Sequence, residues 1–330
     1  MPSARGLALL GPGLDGQLAI ELIRRQGSEV VAATFATPFT AYYEQVQAAA
    51  ARRDVPLITL QSDADYLQRV AHPRFGYTRE MAPCLDCKVA MLVAAREQMS
   101  TVGASFLITG DVVGQRLPGQ SKRDFALVDF HAGVEDLVVR PLSALLLEPT
   151  AAERAGEVRR ENLLSINGRS RQEQLALAKS WQWSEIPSVT SGCLLADAAY
   201  ARKFRDTLEH DAEWQEHVPF LAVGRQFRVG PGNRVILGRN AAENQQLAEW
   251  HAAHASDTFL LHPGNFVGPT ALVVGNTWTD EGLATATQLV LHYARKSDTA
   301  IVHEIVFTQA GNSSTIAVRR DESITLPAAI

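Results

Sequence analysis

A chain of 330 residues, 46% hydrophobic and 20% charged, has the composition of an ordinary globular protein and is long enough for two domains with separate cores. No apolar run approaches the roughly 18 residues of a membrane span. The first residues also lack the basic segment, long apolar stretch and cleavage site of a secretory leader, so no membrane partner and a cytoplasmic location are expected. A net charge of -5 excludes a protein that coats nucleic acid indiscriminately but leaves room for a local basic face, and three cysteines do not make a disulfide framework.

From Gly6 to about Leu147, short apolar runs alternate with helical stretches. "LALL" reads as a strand, followed by a helix over about Gln17–Gln26 and a second strand, "EVVAATFA". "VQAAAARRD" is helical, "VPLITL" is a third strand, "CKVAMLVAAREQMSTVG" is an amphipathic helix, and "SFLITGDVV" is a fourth strand running into Gly110-Asp111. This alternation predicts an α/β fold with a doubly wound parallel sheet, whose ligands gather at the carboxyl ends of the strands. Between Glu148 and His217 the chain turns to charged helical and loop segments. The last third reads as strands "PFLAVGRQFRVG" and "NRVILGRN" about a Gly-Pro-Gly turn, then a helix over about Ala242–His254 and strands "TFLLH" and "TALVVG". A second helix over about Asp280–Arg295 and strands "AIVHEIVFT" and "STIAVRR" follow. The expected division is residues 1–172, a connecting helical segment 173–216 that carries the third cysteine, and a smaller α+β domain over 217–330.

Five stretches bear chemistry. "LALLGPGLDG" has the strand–glycine turn–helix layout of a phosphate loop, yet Pro12 sits mid-turn without a backbone N–H, and no hydroxyl or lysine faces a phosphate. Cys84-Leu85-Asp86-Cys87 opens a helix, where a positive dipole end lowers thiol pKa, and Cys193 lies more than a hundred residues on. Three thiolates suit an iron–sulfur cluster with one open iron, or zinc with one more ligand; a redox dithiol and plain buried cysteines are the other readings. "TGDVVGQRLPGQSKRDF" sets Gly110, Asp111, Gln115, Arg116, Gln120, Ser121 and Lys122 in a loop suited to phosphate or ribose, or simply solvated. Arg140 reads as structural. Arg169 and Arg171 in "NGRSRQEQ" suit an anion, or ordinary capping. Arg225, Arg228, Arg234 and Arg239, with Phe227 among them, form a stripe without a neighbouring acid that suits an RNA backbone, or a solvated face. His251 and His254 read as surface residues.

The blocks "GPGLDG", "PCLDC", "TGDVVGQR", "RPLSALLLEPT", "GRSRQEQLALAK", "SGCLLAD", "VGRQFRV" and "ILGRNAAEN", in that order, resemble the 4-thiouridine synthase-like PP-loop family of tRNA sulfur-transfer proteins. More narrowly they resemble the short branch whose PP-loop domain is followed by a domain similar to the RNA-binding module of NFACT proteins. The resemblance spans nearly the whole chain. It implies an adenine-nucleotide pyrophosphatase fold, ATP-driven adenylation of a uridine in tRNA, and displacement of AMP by sulfur from a sulfide or persulfide donor. It also implies catalytic roles for Asp15, Cys84, Cys87 and Cys193, with the three cysteines on a [4Fe-4S] cluster. ATP and Mg²⁺ would be held by Gly11, Gly13, Asp15, Gly110, Asp111, Gln115 and Arg116. The family's loop runs Ser-Gly-Gly-x-Asp-Ser, whereas residues 11–16 here are Gly, Pro, Gly, Leu, Asp and Gly. With both hydroxyls and one amide gone, weakened ATP use is expected. That loss opens two alternatives: a non-catalytic RNA-binding protein or sulfide carrier, and a cluster-based desulfurase that needs no ATP.

Overall fold

Strand formation follows the apolar runs. In this computed structural model, which describes residues 4–40, 42–187, 192–230, 232–275, 278–295 and 299–330, they build two sheets. Ser191 beside Cys193, and Pro231 of the expected Gly-Pro-Gly turn, lie outside the described residues. The chain divides into two compact units, Met1–Asp197 and Ala198–Ile330.

In the first unit, β1 (Arg5–Leu9), β2 (Glu29–Ala36), β3 (Leu57–Gln61), β4 (Phe106–Ile108) and β5 (Val138–Val139) form one all-parallel sheet. Its order is β3-β2-β1-β4-β5, so strand order reverses between β1 and β4. That reversal opens a crevice at the carboxyl ends of these two strands, where open α/β sheets bind ligands. The crossovers carry α1 (Leu14–Arg24), α2 (Tyr43–Arg52), α3 (Tyr66–Ala71), α4 (Cys84–Val102) and α5 (Lys122–Ala132), and α6 (Ala151–Arg154) and α7 (Gln172–Ser180) follow the last strand. Ile20 and Ile23 of α1 and Val46 and Ala49 of α2 bury against Ala8, Val30, Ala32 and Ile108 of the sheet. Leu14, Leu18 and Leu22, on another side of α1, pack toward Ala178 of α7 and Ile166. These faces are the i, i+3, i+4 spacing that commits α1 to a helix buried on two sides.

Two local departures from the sequence reading matter for the site. Helix α1 begins at Leu14 rather than near Gln17, with Gly13 as its N-cap, which brings Asp15 into the first turn. The segment after Gln120 is not loop: Ser121 accepts the Asp124 N–H, Asp124 accepts the Ser121 N–H, and this capping box starts α5. The Ser121 hydroxyl is thereby engaged in a helix start.

In the second unit, α8 (Ala198–His210) and α9 (Trp214–His217) precede β6 (Arg225–Arg228), β7 (Arg234–Leu237), α10 (Ala241–Ala253), β8 (Thr258–Pro263), β9 (Ala271–Val274), α11 (Asp280–Tyr293), β10 (Val302–Gln309) and β11 (Asn312–Arg319). The strands form an antiparallel sheet in the order β11-β10-β8-β9-β7-β6. Val235, Leu237 and Val273 pack with α11, whereas the alternate residues Ile236, Leu272 and Val274 pack with Leu247 of α10. A period of two between the two cores is what strands covered on both faces require. The architecture is therefore a doubly wound parallel domain followed by an α+β domain. Among the described residues no helix is long and apolar enough to cross a membrane.

Candidate functional site at the carboxyl ends of the parallel strands

The turn after β1 and the turn after β4 meet at the strand-order reversal. A Cβ at Gly110 would stand 2.6 Å from the carbonyl carbon of Asp15 and 2.7 Å from Cα of Gly16, so only glycine lets the two turns approach. A Cβ at Gly11 would meet nothing within 4 Å, which marks the open side of the first turn.

Asp15 does not face that opening free of partners. Its Oδ2 accepts a hydrogen bond from Gln115 Nε2 at 2.8 Å and stands 3.3 Å from Arg171 Nη1. Gln115 accepts in turn from Gln174 Nε2 at 2.8 Å. Arg171, expected to meet an external anion, is turned inward onto the loop's carboxylate, while Arg169 is exposed. Three acceptor oxygens here, Asp15 Oδ1, Gln120 Oε1 and Gln174 Oε1, are buried with no hydrogen-bond partner among the described residues.

Asp111 is buried and holds a second network. Lys88 Nζ reaches both its oxygens at 2.9 and 3.1 Å, Thr109 donates at 2.8 Å, Gln120 at 3.1 Å, and Arg140 Nε stands 3.9 Å away. Burial works to raise the Asp111 pKa, but Lys88 and Arg140 outweigh it and hold the carboxyl well below the usual range. Arg140 is a buried clasp whose other side makes a two-pronged pair with Asp129 at 2.7 and 2.8 Å.

The three cysteines come together in electrostatic terms. Cys84 is exposed at the start of α4, while Cys87 and Cys193 are half-buried. Burial pushes the Cys87 thiol up to about 12, against a hydrogen bond from Tyr66, with Cys193 and Cys84 adding to the rise. Burial also raises Cys193, as does Cys84, while Arg116 opposes. Tyr66 Oη lies 3.2 Å from Cys87 Sγ. Burial and the charges of Cys193 and Cys87 push the Tyr42 phenol up to about 12. A backbone bridge from Thr40 to Cys193 ties the distant cysteine to the end of β2. Among the described residues no three Cys, His, Asp or Glu side chains are gathered so as to hold one metal ion. A lone zinc demands its ligands around one point, whereas cysteines of an iron–sulfur cluster each reach a different iron and stand farther apart. The thiols of Cys84, Cys87 and Cys193 influence one another electrostatically.

The arginine stripe needs correction. Arg234 has a side chain 2% exposed and sits on the fully buried strand β7. It donates to Asp206 at 2.8 Å and to Gln226 at 2.7 Å, and lies 3.3 Å from Asp211. Arg228 pairs with Asp206 and, at 2.7 Å, with Asp211. Burial lowers Arg234 to about 10. Phe227 is core, and Arg239 pairs with Glu243 at 2.5 Å. Of the four cations, Arg225 and Arg239 stay exposed, and Arg225 lies 5.0 Å above the Tyr293 ring. The acids that close the stripe lie some twenty residues upstream in "FRDTLEHD". His251 also departs from expectation: it is buried, with Nδ1 2.8 Å from Thr258 Oγ1, whereas His254 is exposed.

The sequence reading missed Lys88, Tyr66 and Gln174. Lys88 had a signal, one helical turn after Cys84 on the same helix; Tyr66 and Gln174 had none, because their partners are distant in sequence.

Residues 224–324 match the family model of the NFACT protein RNA binding domain. No curated protein matches the chain significantly. Among solved structures, a 4-thiouridine synthetase–RNA complex with bound ATP is similar at 20% identity and a TM-score of 0.35, over 66% of this chain and 52% of that one. The chain thus spans about half the length of that synthetase. A predicted subunit of tRNA methyltransferase from Methanocaldococcus jannaschii is similar at 12% identity and a TM-score of 0.35, over 54% of this chain and 76% of that one. The C-terminal part of a fibronectin/fibrinogen-binding protein from Streptococcus suis is similar at 12% identity and a TM-score of 0.25, over 78% of this chain and 94% of that one. None of these structural likenesses is close enough to carry an argument about activity.

Proposed function

We propose that the chain is an RNA-directed sulfur-handling protein that works at Cys84, Cys87 and Cys193 and does not adenylate its RNA with ATP. The observation that carries this reading is the state of Asp15. A magnesium ion at the loop would have to displace the guanidinium of Arg171, and Pro12 offers no amide to the phosphate beside it. RNA as partner is supported by the match of residues 224–324 to an RNA-binding domain. Arg169, Arg225 and Arg239 are the exposed cations retained from the sequence reading, Arg239 paired with Glu243, and tRNA is the RNA we assign.

Cys84, Cys87 and Cys193 would hold a [4Fe-4S] cluster, which when bound supplies an iron open to sulfide. The chain's own residues then divide the work. Tyr66 fixes the Cys87 sulfur, the Thr40 bridge fixes Cys193 beside it, and exposed Arg116 presents positive charge to incoming anionic sulfide. Sulfur would be removed from a thiouridine of the RNA without nucleotide, water supplying the carbonyl oxygen and hydrosulfide leaving.

A second reading keeps ATP-dependent thiolation, with Gly11, Gly13, Asp15, Gly110, Asp111, Gln115 and Arg116 about the nucleotide. It is favoured by the open side at Gly11 and the close approach at Gly110. One sample decides between them. Anaerobically purified protein is assayed for iron and acid-labile sulfide, titrated with ATP and Mg²⁺ by calorimetry, and incubated with 4-thiouridine-containing RNA. Iron, sulfide and sulfide release without ATP are the expected results. Micromolar ATP–Mg²⁺ binding would transfer the assignment to the second reading, and absence of both iron and labile sulfide would overturn the cluster.

A further inference from the structure

A cavity of about 430 Å³ opens in the first unit between the loop after α3, the first turns of α4 and the end of α5. None of the residues named at the crevice between β1 and β4 lines it. Its floor is an apolar face of α4, where Val89, Ala90, Val93 and Ala94 recur at helical spacing and stay half-exposed. Small and branched side chains at these positions make the floor shallow and flat.

The polar lining mixes charges: Arg69 and Arg74 stand with Asp63, Asp86 and Glu97, and the aromatic edge is Phe75 and His131. The Phe75 and His131 rings are 5.1 Å apart, and the Arg74 guanidinium lies 5.6 Å from the Phe75 ring centroid. Arg74 Nη1 is 3.4 Å from His131 Nδ1, and among the described residues no carboxylate stands within ion-pair distance of Arg74. Phe130, 64% exposed, packs edge-on against His131 at 5.2 Å. On the facing wall Arg69 is already paired with Asp63.

This rim is fastened to the cysteine motif. The Asp86 carboxylate, between Cys84 and Cys87, accepts the backbone N–H groups of Arg74 at 2.9 Å and Phe75 at 3.2 Å. The loop that carries the aromatic and the cation is therefore held by the same helical turn that presents the thiols.

The geometry points to a binding site for an unpaired nucleobase of single-stranded RNA, stacked over the α4 floor beside Phe75 and His131, with the adjoining phosphate on Arg74. A flat apolar surface bordered by π-faces and an unneutralised guanidinium is the chemistry that takes bases without sequence preference. The volume lies within the range of about 300–1,000 Å³ that holds a ligand of nucleotide size. An apolar peptide would leave Arg74 unanswered, and a bare anion would leave the floor uncovered. RNA rather than a free nucleotide is chosen because the same chain carries the RNA-binding match at 224–324. The inference rests on the RNA-directed reading above and adds to it where the RNA beside the reacting nucleotide is held.

The test is fluorescence anisotropy of the full chain with a short fluorescein-labelled oligouridylate across a salt series. Arg74→Gln, Phe75→Leu and Ala94→Glu probe the cation, the stacking ring and the floor separately. Each variant is expected to weaken binding about tenfold. Arg74→Gln is further expected to reduce the slope of log K against log salt by about 0.7, the contribution of one phosphate on a single strand. Wild-type affinity in all three variants overturns this site while leaving RNA binding intact, and absence of RNA binding by the wild type overturns both. Competition by free UMP at equal nucleotide concentration assigns the cavity to a mononucleotide and overturns the RNA assignment.

Discussion

Each unit has a buried network of opposite charges, and they are built to different ends. In the first, Asp111 gathers Lys88, Gln120 and Thr109 from the helix and turns at the strand ends, and Arg140 links it to Asp129. Lys88 keeps a side chain 29% exposed, and the neighbouring acceptors on Asp15, Gln120 and Gln174 have unused lone pairs. In the second, Arg228 and Arg234 project from paired strands and are met by Asp206 on α8 and Asp211 just beyond it, with His217 Nδ1 2.8 Å from Asp211. One network ends at a crevice and presents groups to it; the other is closed by its own helix. The same side-chain chemistry thus stands at the strand ends in one place and forms a helix–sheet clasp in the other, and what separates them is how much of the pairing cation is left exposed, 29% for Lys88 against 2% for Arg234.

The comparison breaks most visibly at Arg234. Arg234→Ala leaves Asp206 and Asp211 to Arg228 alone and should cost about 3 kcal/mol, the low end for a broken buried pair. Denaturant unfolding with hydrogen exchange should place the loss over residues 225–237 and spare β1; a loss under about 1 kcal/mol would mean the clasp is open to solvent.

Asp111→Asn should cost about 1.5–3 kcal/mol in the first unit, less because Lys88 retains some water and asparagine keeps some hydrogen bonds. The folded pKa of Asp111 is depressed, so its contribution is present above the unfolded value near about 3.9 and is lost as pH falls through the folded one. Acid unfolding of the wild type should therefore steepen below about pH 4 relative to the variant. Parallel acid curves would show that Asp111 is not ionised in the fold.

Gly110→Ala drives a methyl group into the backbone of residues 15 and 16 and should cost about 1–3 kcal/mol. Exchange should rise at residues 11–18, and unchanged protection there would deny the close approach of the two turns. Smallest is Tyr66→Phe, which removes the hydroxyl on Cys87 for about 1 kcal/mol. Its readout beyond stability is the alkylation rate of Cys87 in metal-free protein, which should fall as the thiolate loses a donor; a faster rate would assign Tyr66 a shielding role instead.

How much was legible varies by kind of residue. The strand–turn–helix alternation, the CxxC at the head of α4 and the glycines at the two turns could be read directly, because each is a local pattern of period, punctuation or spacing. The arginine stripe could not be read correctly, because an alternating strand with cations looks the same whether its facing acids lie in water or on a helix some twenty residues away. Phe227 and His251 were misplaced for the same reason: strand and helix faces are assigned by what covers them.

The sequence by itself determined the order of most elements, the doubly wound parallel sheet, and the loss of hydroxyls and an amide from the first turn. These follow from backbone preferences and hydrophobic period, which act over a few residues. Tertiary structure alone decided that Arg171 and Gln115, 156 and 100 positions from Asp15, would occupy its carboxylate, that Asp206 and Asp211 would close over Arg228 and Arg234, and that an apolar face of α4 would lie uncovered beside Arg74. Charge pairing and burial are properties of neighbours in space, and the chain fixes those neighbours only once it has folded.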